Sequence, residues 1–409
     1  MLSVSEARAR LLASLPEIPS ESIPLVNAVG RILAGDIHAP FDLPTFSNSS
    51  MDGFAVRSAD TMPASPQKPV RLNVVADIPA GRLPTREILP GEAARIMTGA
   101  QVPDGADAVI PVEQTDFANR DAGTAAPSHV GIFVPVPTGH NIRARGDDVT
   151  LGDLLLPKGA RLRPQEVGMA AMLGLGEIEV VRRPRVALLS TGDELIPPGS
   201  PRLDGKIFES NSFTIGGLVA QAGGEVIRLG IAADRAEAVE ALLDQAIATR
   251  ADLIISSAGV SVGAFDFVKS VVESHGRLDF WRVNMRPGKP LAFGEYRGVP
   301  FVGLPGNPVS AFVGFEVFLR YALAKMLCIS GWERTELRGK LAEPVRSDGR
   351  ESYLRAVASR EDGGWVARLT GHQGSGNQFS LVQANALVII PAGVVELRPG
   401  DEIQIWPLL

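Results

Sequence analysis

Val186-Ala-Leu-Leu189 is an unbroken apolar run, and Ser190-Thr-Gly-Asp193-Glu194 follows it at once. A short apolar run closed by polar turn residues reads as a buried strand, here delivering two adjacent carboxylates on the loop beyond it. The alternation repeats outward. Asn211 to Ala222 has helical spacing, Val226 to Ile231 reads as a strand, Arg235 to Ala248 as an amphipathic helix, and Leu253 to Ser256 as a third strand. Asp266 to Ser274 is helical, Phe301 to Leu304 a strand, and Val309 to Met326 a long apolar helix. Strands alternating with helices build a doubly wound parallel sheet, whose ligands bind beyond the carboxyl ends of the strands.

On both sides of this region the texture changes. After Gly331 the short runs Leu337 to Ala342, Tyr353 to Ala358, Trp365 to Leu369, Ala386 to Ile390 and Glu402 to Trp406 predict a small β-barrel-like domain. At the start, Ser3 and Glu6 have capping-box spacing, and Ala7 to Leu15 carries helical apolar spacing up to Pro16. Pro164 to Leu173 returns to helix, stopped by Gly174. Between these helices, from Pro40 to about Asp148, runs such as Val70 to Val75 and Gly131 to Val136 are cut by Pro and Gly. They indicate a β-rich insert, with the small polar stretch Asn119 to Ser128 as a mobile hairpin loop. The expected organisation is a split, small helical linking domain (1–40 and 149–181), the β-rich inserted domain (41–148), the α/β domain (182–330) and the C-terminal β domain (331–409).

The chain has 409 residues, 45% of them hydrophobic, which is ample for more than one core. Lys and Arg number 40 against 46 Asp and Glu, a net charge of −6 that argues against a general nucleic-acid binder. Any anion site must be local. Cys328 is the single cysteine, so neither a disulfide framework nor a thiolate zinc site can form. His38, His129, His140, His275 and His372 are scattered, with no pair at metal-ligand spacing. Arg8 and Arg10 stand with Glu6 and no long apolar run, unlike a signal peptide, and the apolar stretch Ala386 to Val395 is broken by Pro391. No segment reaches the ~18 apolar residues of a membrane span. A soluble cytoplasmic protein is expected.

Three loops stand where ligands of such a sheet bind. In the first, Asp193 and Glu194 are either ligands or the acidic first turn of a helix. The second, Gly259-Val-Ser261-Val-Gly263-Ala-Phe-Asp266, allows close backbone approach, and Asp266 can cap the next helix or hold a cation. It also matches the G-x-S-x-G pattern of hydrolases, which would make Ser261 a nucleophile with His275 or His372 as base. In the third, Leu304-Pro-Gly-Asn307-Pro308-Val-Ser310, an Asn cap before Pro leaves backbone N–H groups aimed at an anion. Between the last two loops, Arg282, Arg286 and Lys289 flank a Pro-Gly turn, a cradle for an oxyanion or a solvated basic turn.

These motifs, taken in order, resemble the molybdopterin molybdenumtransferases, called MoeA in bacteria. The resemblance runs from about residue 5 to the C-terminus. It rests on Asn48-Ser-Ser-Met-Asp52-Gly-Phe-Ala-Val56, Arg95-Ile-Met-Thr98-Gly-Ala100, Gly105-Ala-Asp107-Ala-Val109 and Asn141-Ile-Arg143-Ala-Arg-Gly-Asp-Asp148. It continues through the first loop, Ser256 to Gly263, Arg286-Pro-Gly-Lys289-Pro290, Gly303 to Ser310 and Gly371-His-Gln-Gly-Ser375. The resemblance implies an enzyme that takes adenylylated molybdopterin, releases AMP and inserts molybdate at the dithiolene to give molybdenum cofactor, with Mg²⁺. It implies a homodimer whose active cleft is shared between subunits, and contacts with molybdopterin adenylyltransferase and molybdoenzyme chaperones. Neither nucleic acid nor membrane is expected as a partner.

Carried over by position, Glu194, Asp234 and Asp266 are the implied acidic, metal-holding set. Arg286, Lys289, Arg355 and Ser375 are the implied molybdate binders, and Asp52, Thr98, Arg143 and Asp148 the functional positions of the insert. Forked guanidinium donors, an ammonium and a hydroxyl suit a tetrahedral dianion. Asp52-Gly53 and Thr98-Gly99 are also turn chemistry, and Asp148 can simply pair with Arg143 or Arg145. Arg282, Arg286, Ala258 and Ala264 depart from the residues common in bacterial relatives. A non-catalytic pterin carrier of the same fold and a tungsten-handling paralogue are the alternatives.

Overall fold

A computed structural model describes residues 1–119, 121, 123–258, 267–330, 334–361 and 363–408. Two compact units form, one from Met1–Gly35 with Lys158–Leu409, the other from Asp36–Pro157. The expected insert, 41–148, lies inside the second.

The first unit is organised by a six-stranded sheet. Glu225–Ala232, Arg185–Thr191, Leu253–Ser257 and Val299–Leu304 stand side by side in that order, all parallel. The period of two explains why Arg185–Thr191 must be central: Val186 and Leu188 enter the core on one face, Ala187 and Leu189 the core on the other. Helices Asn211–Gln221 and Pro308–Gly314 bury residues in the first core, Ala236–Ala248 and Phe267–His275 in the second. From Arg185–Thr191 the chain winds first to Glu225–Ala232, then crosses back to Leu253–Ser257. That reversal is a topological switch point, where the carboxyl ends of two neighbouring strands leave a crevice.

The sheet also continues beyond the expected strands. Pro290–Tyr296 and Gly276–Arg282 extend it antiparallel at the Val299–Leu304 edge. Backbones approach closely there, since a Cβ on Gly294 would stand 1.9 Å from the Arg277 carbonyl oxygen. The long apolar helix is present as Pro308–Gly314 and Arg320–Met326, joined by a π-helical turn, Phe315–Leu319.

The N-terminal helix Val4–Ala13 carries the capping box, with Glu6 N–H donating to Ser3 Oγ at 3.2 Å and Ser3 N–H to Glu6 Oε2 at 2.8 Å. Arg8 Nε donates to the Val317 carbonyl at 3.0 Å, and its guanidinium lies 3.9 Å from the Tyr321 ring centroid. Ser20–Pro24 pairs antiparallel with Glu177–Val181, joining the two chain segments that flank the insert. The five strands read from the C-terminal sequence are all present. Glu351–Glu361, Gly364–Leu369, Leu337–Leu341, Glu402–Pro407 and Ala386–Ile390 pair in that order, and Ala386–Ile390 pairs back to Glu351–Glu361, closing a barrel. Met285–Arg286 lies parallel against Glu351 and Ser352, so the loop carrying the basic residues reaches the barrel wall.

The second unit holds a five-stranded sheet in the order Ala108–Pro111, Gly53–Val56, Glu92–Ile96, Val70–Ile78, His129–Ile132. Residues 120 and 122 of the expected hairpin loop lie outside the described residues. Gly53 is required by close packing, because a Cβ there would stand 1.9 Å from the Ile110 carbonyl oxygen. Gly53→Ala is expected to cost at least the 1–3 kcal/mol typical of overpacking, roughly, and to lower the unfolding midpoint of the unit. A melting curve unchanged from wild type would contradict this. No described helix is long and apolar enough to cross a membrane.

Candidate functional site

At the switch point lies a cleft of ≈ 510 Å³. Thr191 ends one strand lining it, Ser257 ends the next with Ala258 just beyond it, and Pro305 to Pro308, with Ser310, close it from the third loop. Glu194 lines the cleft, and among the described residues its carboxylate has no hydrogen-bond or ion-pair partner. No helix follows Asp193 and Glu194, so the first-turn alternative is overturned: Leu195–Ile196 is a short strand paired with Ile207–Phe208. The loop is held instead by reciprocal bonds to Asp234. Asp193 N–H donates to Asp234 Oδ2 at 3.4 Å, and Asp234 N–H to Asp193 Oδ1 at 3.1 Å. Asp234 is therefore brought beside the first loop. Asp266 and Ser261 lie outside the described residues, as does all of 259–266. His275, one of the two bases considered for Ser261, ends the following helix, with Nε2 3.2 Å from Glu240. Among the described residues no three Asp, Glu, His or Cys side chains converge as a metal cage.

The sequence pattern missed Glu209. It is 5% exposed and lines the same cleft just ahead of helix Asn211–Gln221. Its carboxylate accepts from Ser190 Oγ at 3.1 Å, Ser212 N–H at 2.7 Å and Ser212 Oγ at 2.6 Å, tying the central strand to the start of the helix. Asn211 does the same for the other two loops, its Nδ2 donating to Ser257 Oγ at 2.6 Å and the Gly306 carbonyl at 2.7 Å. Glu209-Ser-Asn211-Ser before a helical run is the signal that marked this corner. Glu209→Ala strands a buried hydroxyl and an N–H, so denaturant unfolding is expected to show a loss of about 1–3 kcal/mol. Glu209→Gln, which keeps an acceptor, is expected to recover part of it.

On the third loop Asn307 is the helix N-cap and Pro308 the first helical residue, as its sequence implies, but the Asn307 side chain makes no capping bond. One of the N–H groups expected to face an anion is already taken: Val309 N–H donates to the Ser375 carbonyl at 3.1 Å. This bond seats the loop Gly371 to Gln378 of the barrel against the cleft. Beneath that loop is Arg355, fully buried on strand Glu351–Glu361. Its Nε donates to Ser380 Oγ at 3.0 Å and its Nη2 to the Gly374 carbonyl at 3.0 Å, while among the described residues the buried Nη1 has no partner. Every acceptor is neutral. Burial, with the positive charge of Arg286, pushes the guanidinium down to about 10, leaving it charged at neutral pH. A buried cation without a counter-charge is costly. Arg286 and Lys289 are exposed on the loop before it, Arg286 Nη1 lying 3.8 Å from Asp348.

In the second unit the three expected motifs converge. Thr98 N–H and Oγ1 both donate to Asp52 Oδ1 at 2.8 Å. Strand Asn48–Ser49 pairs with Ile142–Arg143, and Ser50 N–H donates to the Asn141 carbonyl at 3.0 Å. Arg143 is ion-paired with Asp148, and Arg145 Nε donates to Asp42 at 2.7 Å. The exposed Arg143–Asp148 pair is worth little in stability, which leaves both groups available to a ligand at small cost.

Comparison with known proteins covers the whole chain. Residues 2–174 match the family described as MoeA N-terminal region (domain I and II), residues 187–325 a probable molybdopterin binding domain, and residues 338–408 the MoeA C-terminal region (domain IV). The chain is 40% identical over 416 residues to molybdopterin molybdenumtransferase 2 of Mycobacterium tuberculosis, covering 100% of both. It is 38% identical to the molybdopterin molybdenumtransferase of Haemophilus influenzae, covering 100% of this chain and 98% of the relative. The crystal structure of the molybdopterin biosynthesis MoeA protein from Pyrococcus horikoshii superposes with a TM-score of 0.85 at 32% identity, covering 100% of this chain and 99% of that one.

Proposed function

The chain belongs to the MoeA family of molybdopterin molybdenumtransferases, and from that premise we propose that it inserts molybdate into adenylylated molybdopterin with release of AMP. The observation that carries the reading is Arg355, a buried guanidinium that among the described residues has neither a partner for Nη1 nor a counter-charge, packed under the loop that Ser375 seats on the cleft. Molybdate, a tetrahedral dianion, supplies the missing charge. The exposed Arg286 and Lys289 draw it in, Arg355 binds it by a directed N–H, and the Ser375 hydroxyl is on the loop that must yield to admit it.

The pterin nucleotide occupies the switch-point cleft, floored by the Asn211 and Glu209 networks, which hold the three loops at fixed spacing. Glu194 is a hard oxygen donor without a partner among the described residues, with Asp234 held on the adjoining loop, and one or two carboxylates plus substrate phosphate suit Mg²⁺. Glu194, Asp234 and Asp266 would hold the ion. When bound, it neutralises the charge of the phosphate being cleaved. Asp52, Thr98, Arg143 and Asp148 act from the partner subunit of a homodimer. Cytoplasmic location and transfer of the finished cofactor to a molybdoenzyme chaperone complete the reading.

Incubation of the purified chain with adenylylated molybdopterin, Mg²⁺ and molybdate tests it. AMP release together with molybdenum cofactor formation is expected. Cofactor formation without AMP, or neither product, would sink the proposal, and tungstate working in place of molybdate would favour the tungsten-handling alternative.

A further inference from the structure

Arg286 already has a carboxylate beside it before any anion arrives. Its Nη1 lies 3.8 Å from Asp348 Oδ2, and among the described residues it makes no other ion pair. Asp348 comes from a different element, the turn that precedes barrel strand Glu351–Glu361. The turn is built in place. Ser347 N–H donates to the Val395 carbonyl at 2.9 Å, Gly393 N–H donates to the Gly349 carbonyl at 2.8 Å, and Gly349 takes a φ of +81°, a conformation natural to glycine.

Arg350 aims the carboxylate. Its Nε donates to Asp348 Oδ2 at 3.1 Å and its Nη2 to the same oxygen, while Arg350 N–H donates to Oδ1 at 3.2 Å. Nη1 of the same guanidinium donates to the Met285 carbonyl at 3.1 Å. One side chain thus grips both the carboxylate and the residue before Arg286, so the fold itself sets the pair. Arg350, with Arg286 behind it, holds the Asp348 carboxyl below the usual carboxylate range, and it is ionised at neutral pH. Arg286 also lines a small cavity of ≈ 150 Å³ with Arg346, Ser347, Ser352 and Gln373, and no described carboxylate lines it. Gln373 is bonded both ways to the Arg355 backbone, its Oε1 accepting from the N–H at 2.9 Å and its Nε2 donating to the carbonyl at 3.1 Å. Arg286 therefore stands between a carboxylate it already holds and a wall tied to Arg355.

We infer that Asp348 is an internal competitor of the substrate oxyanion: its carboxylate occupies Arg286 in the empty site and has to release it when the dianion binds. This rests on the basic loop being the molybdate cradle proposed above. A carboxylate is a natural rival, because it offers a guanidinium the same forked pair of oxygens that a tetrahedral oxyanion does. It also offsets part of the repulsion among Arg286, Arg350 and Arg355 while no anion is bound. Both side chains of the pair are partly exposed, so breaking it costs little and the dianion displaces it reversibly.

Calorimetric titration of the full chain with molybdate tests this in wild type, Asp348→Asn, Arg286→Met and the double variant. Asparagine keeps the shape and an acceptor for the Arg350 N–H, but not the charge. Asp348→Asn is expected to bind molybdate roughly two- to fivefold more tightly than wild type, the range of an exposed ion pair. In turnover it is expected to lower the KM for molybdate by that factor with kcat unchanged. A purely structural role for Asp348 has the opposite sign, since loosening Arg350 would release the basic loop and weaken the anion. In the Arg286→Met background the same change is expected to do nothing, which isolates the pair. Unchanged or weaker binding in Asp348→Asn, with wild type still inserting molybdate, would overturn the competition and leave the function standing. Equal tightening with and without Arg286 would assign the effect to charge at large and overturn it too. A wild-type chain that neither binds nor inserts molybdate would overturn both.

Discussion

Arg355→Met is expected to raise the molybdate concentration needed for insertion by roughly 10- to 100-fold, the loss of a charged hydrogen bond worth about 1.5–3 kcal/mol. A second readout separates this from damage to the barrel. Methionine fills similar space, and removing a buried charge without a counter-charge offsets the bonds lost to Ser380 and Gly374. Without anion, then, the variant is expected to unfold at nearly the wild-type denaturant concentration. With molybdate at a hundredfold excess over the wild-type dissociation constant, a ligand that binds only the folded chain adds about 2.7 kcal/mol to wild type, and Arg355→Met, binding 10- to 100-fold more weakly, is expected to gain only about 0.4–1.4 kcal/mol. Arg355→Lys keeps a charge but not the fork, and is expected to fall between the two. A variant that molybdate stabilises as much as wild type would remove Arg355 from the anion site.

How far such a residue can be foreseen depends on which physical signal marks it. The central strands were legible because Val186 to Leu189 and Leu253 to Ser256 are apolar on both faces, a pattern only a covered parallel sheet satisfies. The barrel strands were legible from their lengths and their Gly and Pro boundaries. Gly276–Arg282 was not, since its run of Gly, Arg, Leu and Asp follows a helix without a break and places charge on an edge that faces solvent. Glu209 carries no periodic signal at all; its importance arises from Ser190, which is 19 residues away along the chain and adjacent only after folding. Arg355 matched the family by position, yet its sequence neighbours, Leu354 and Ala356, do not disclose that the guanidinium is buried among neutral acceptors. That fact needs the closed barrel. Asp52, Thr98 and the pair Arg143–Asp148 were legible as motifs, and the structure adds that they converge within one unit.

Mixing two inactive variants is expected to restore activity. Asp52→Ala removes the carboxylate that Thr98 holds in the insert, and Glu194→Ala removes the unpartnered carboxylate of the switch-point cleft. Each alone is expected to abolish AMP release. In a symmetric dimer whose sites each combine one chain's insert with the other chain's cleft, a statistical mixture gives hybrids as about half of all dimers. Each hybrid then carries one site with both changes and one with neither, so the ceiling is roughly a quarter of the wild-type activity per site. If each chain instead works with its own insert, every site in every dimer carries one change and the mixture stays dead. Subunit exchange is checked in parallel by mixing differently tagged chains and capturing one tag. Exchange without recovered activity would place Asp52 and Glu194 in the same chain's site, or remove Asp52 from the reaction, and in either case the shared-cleft proposal fails.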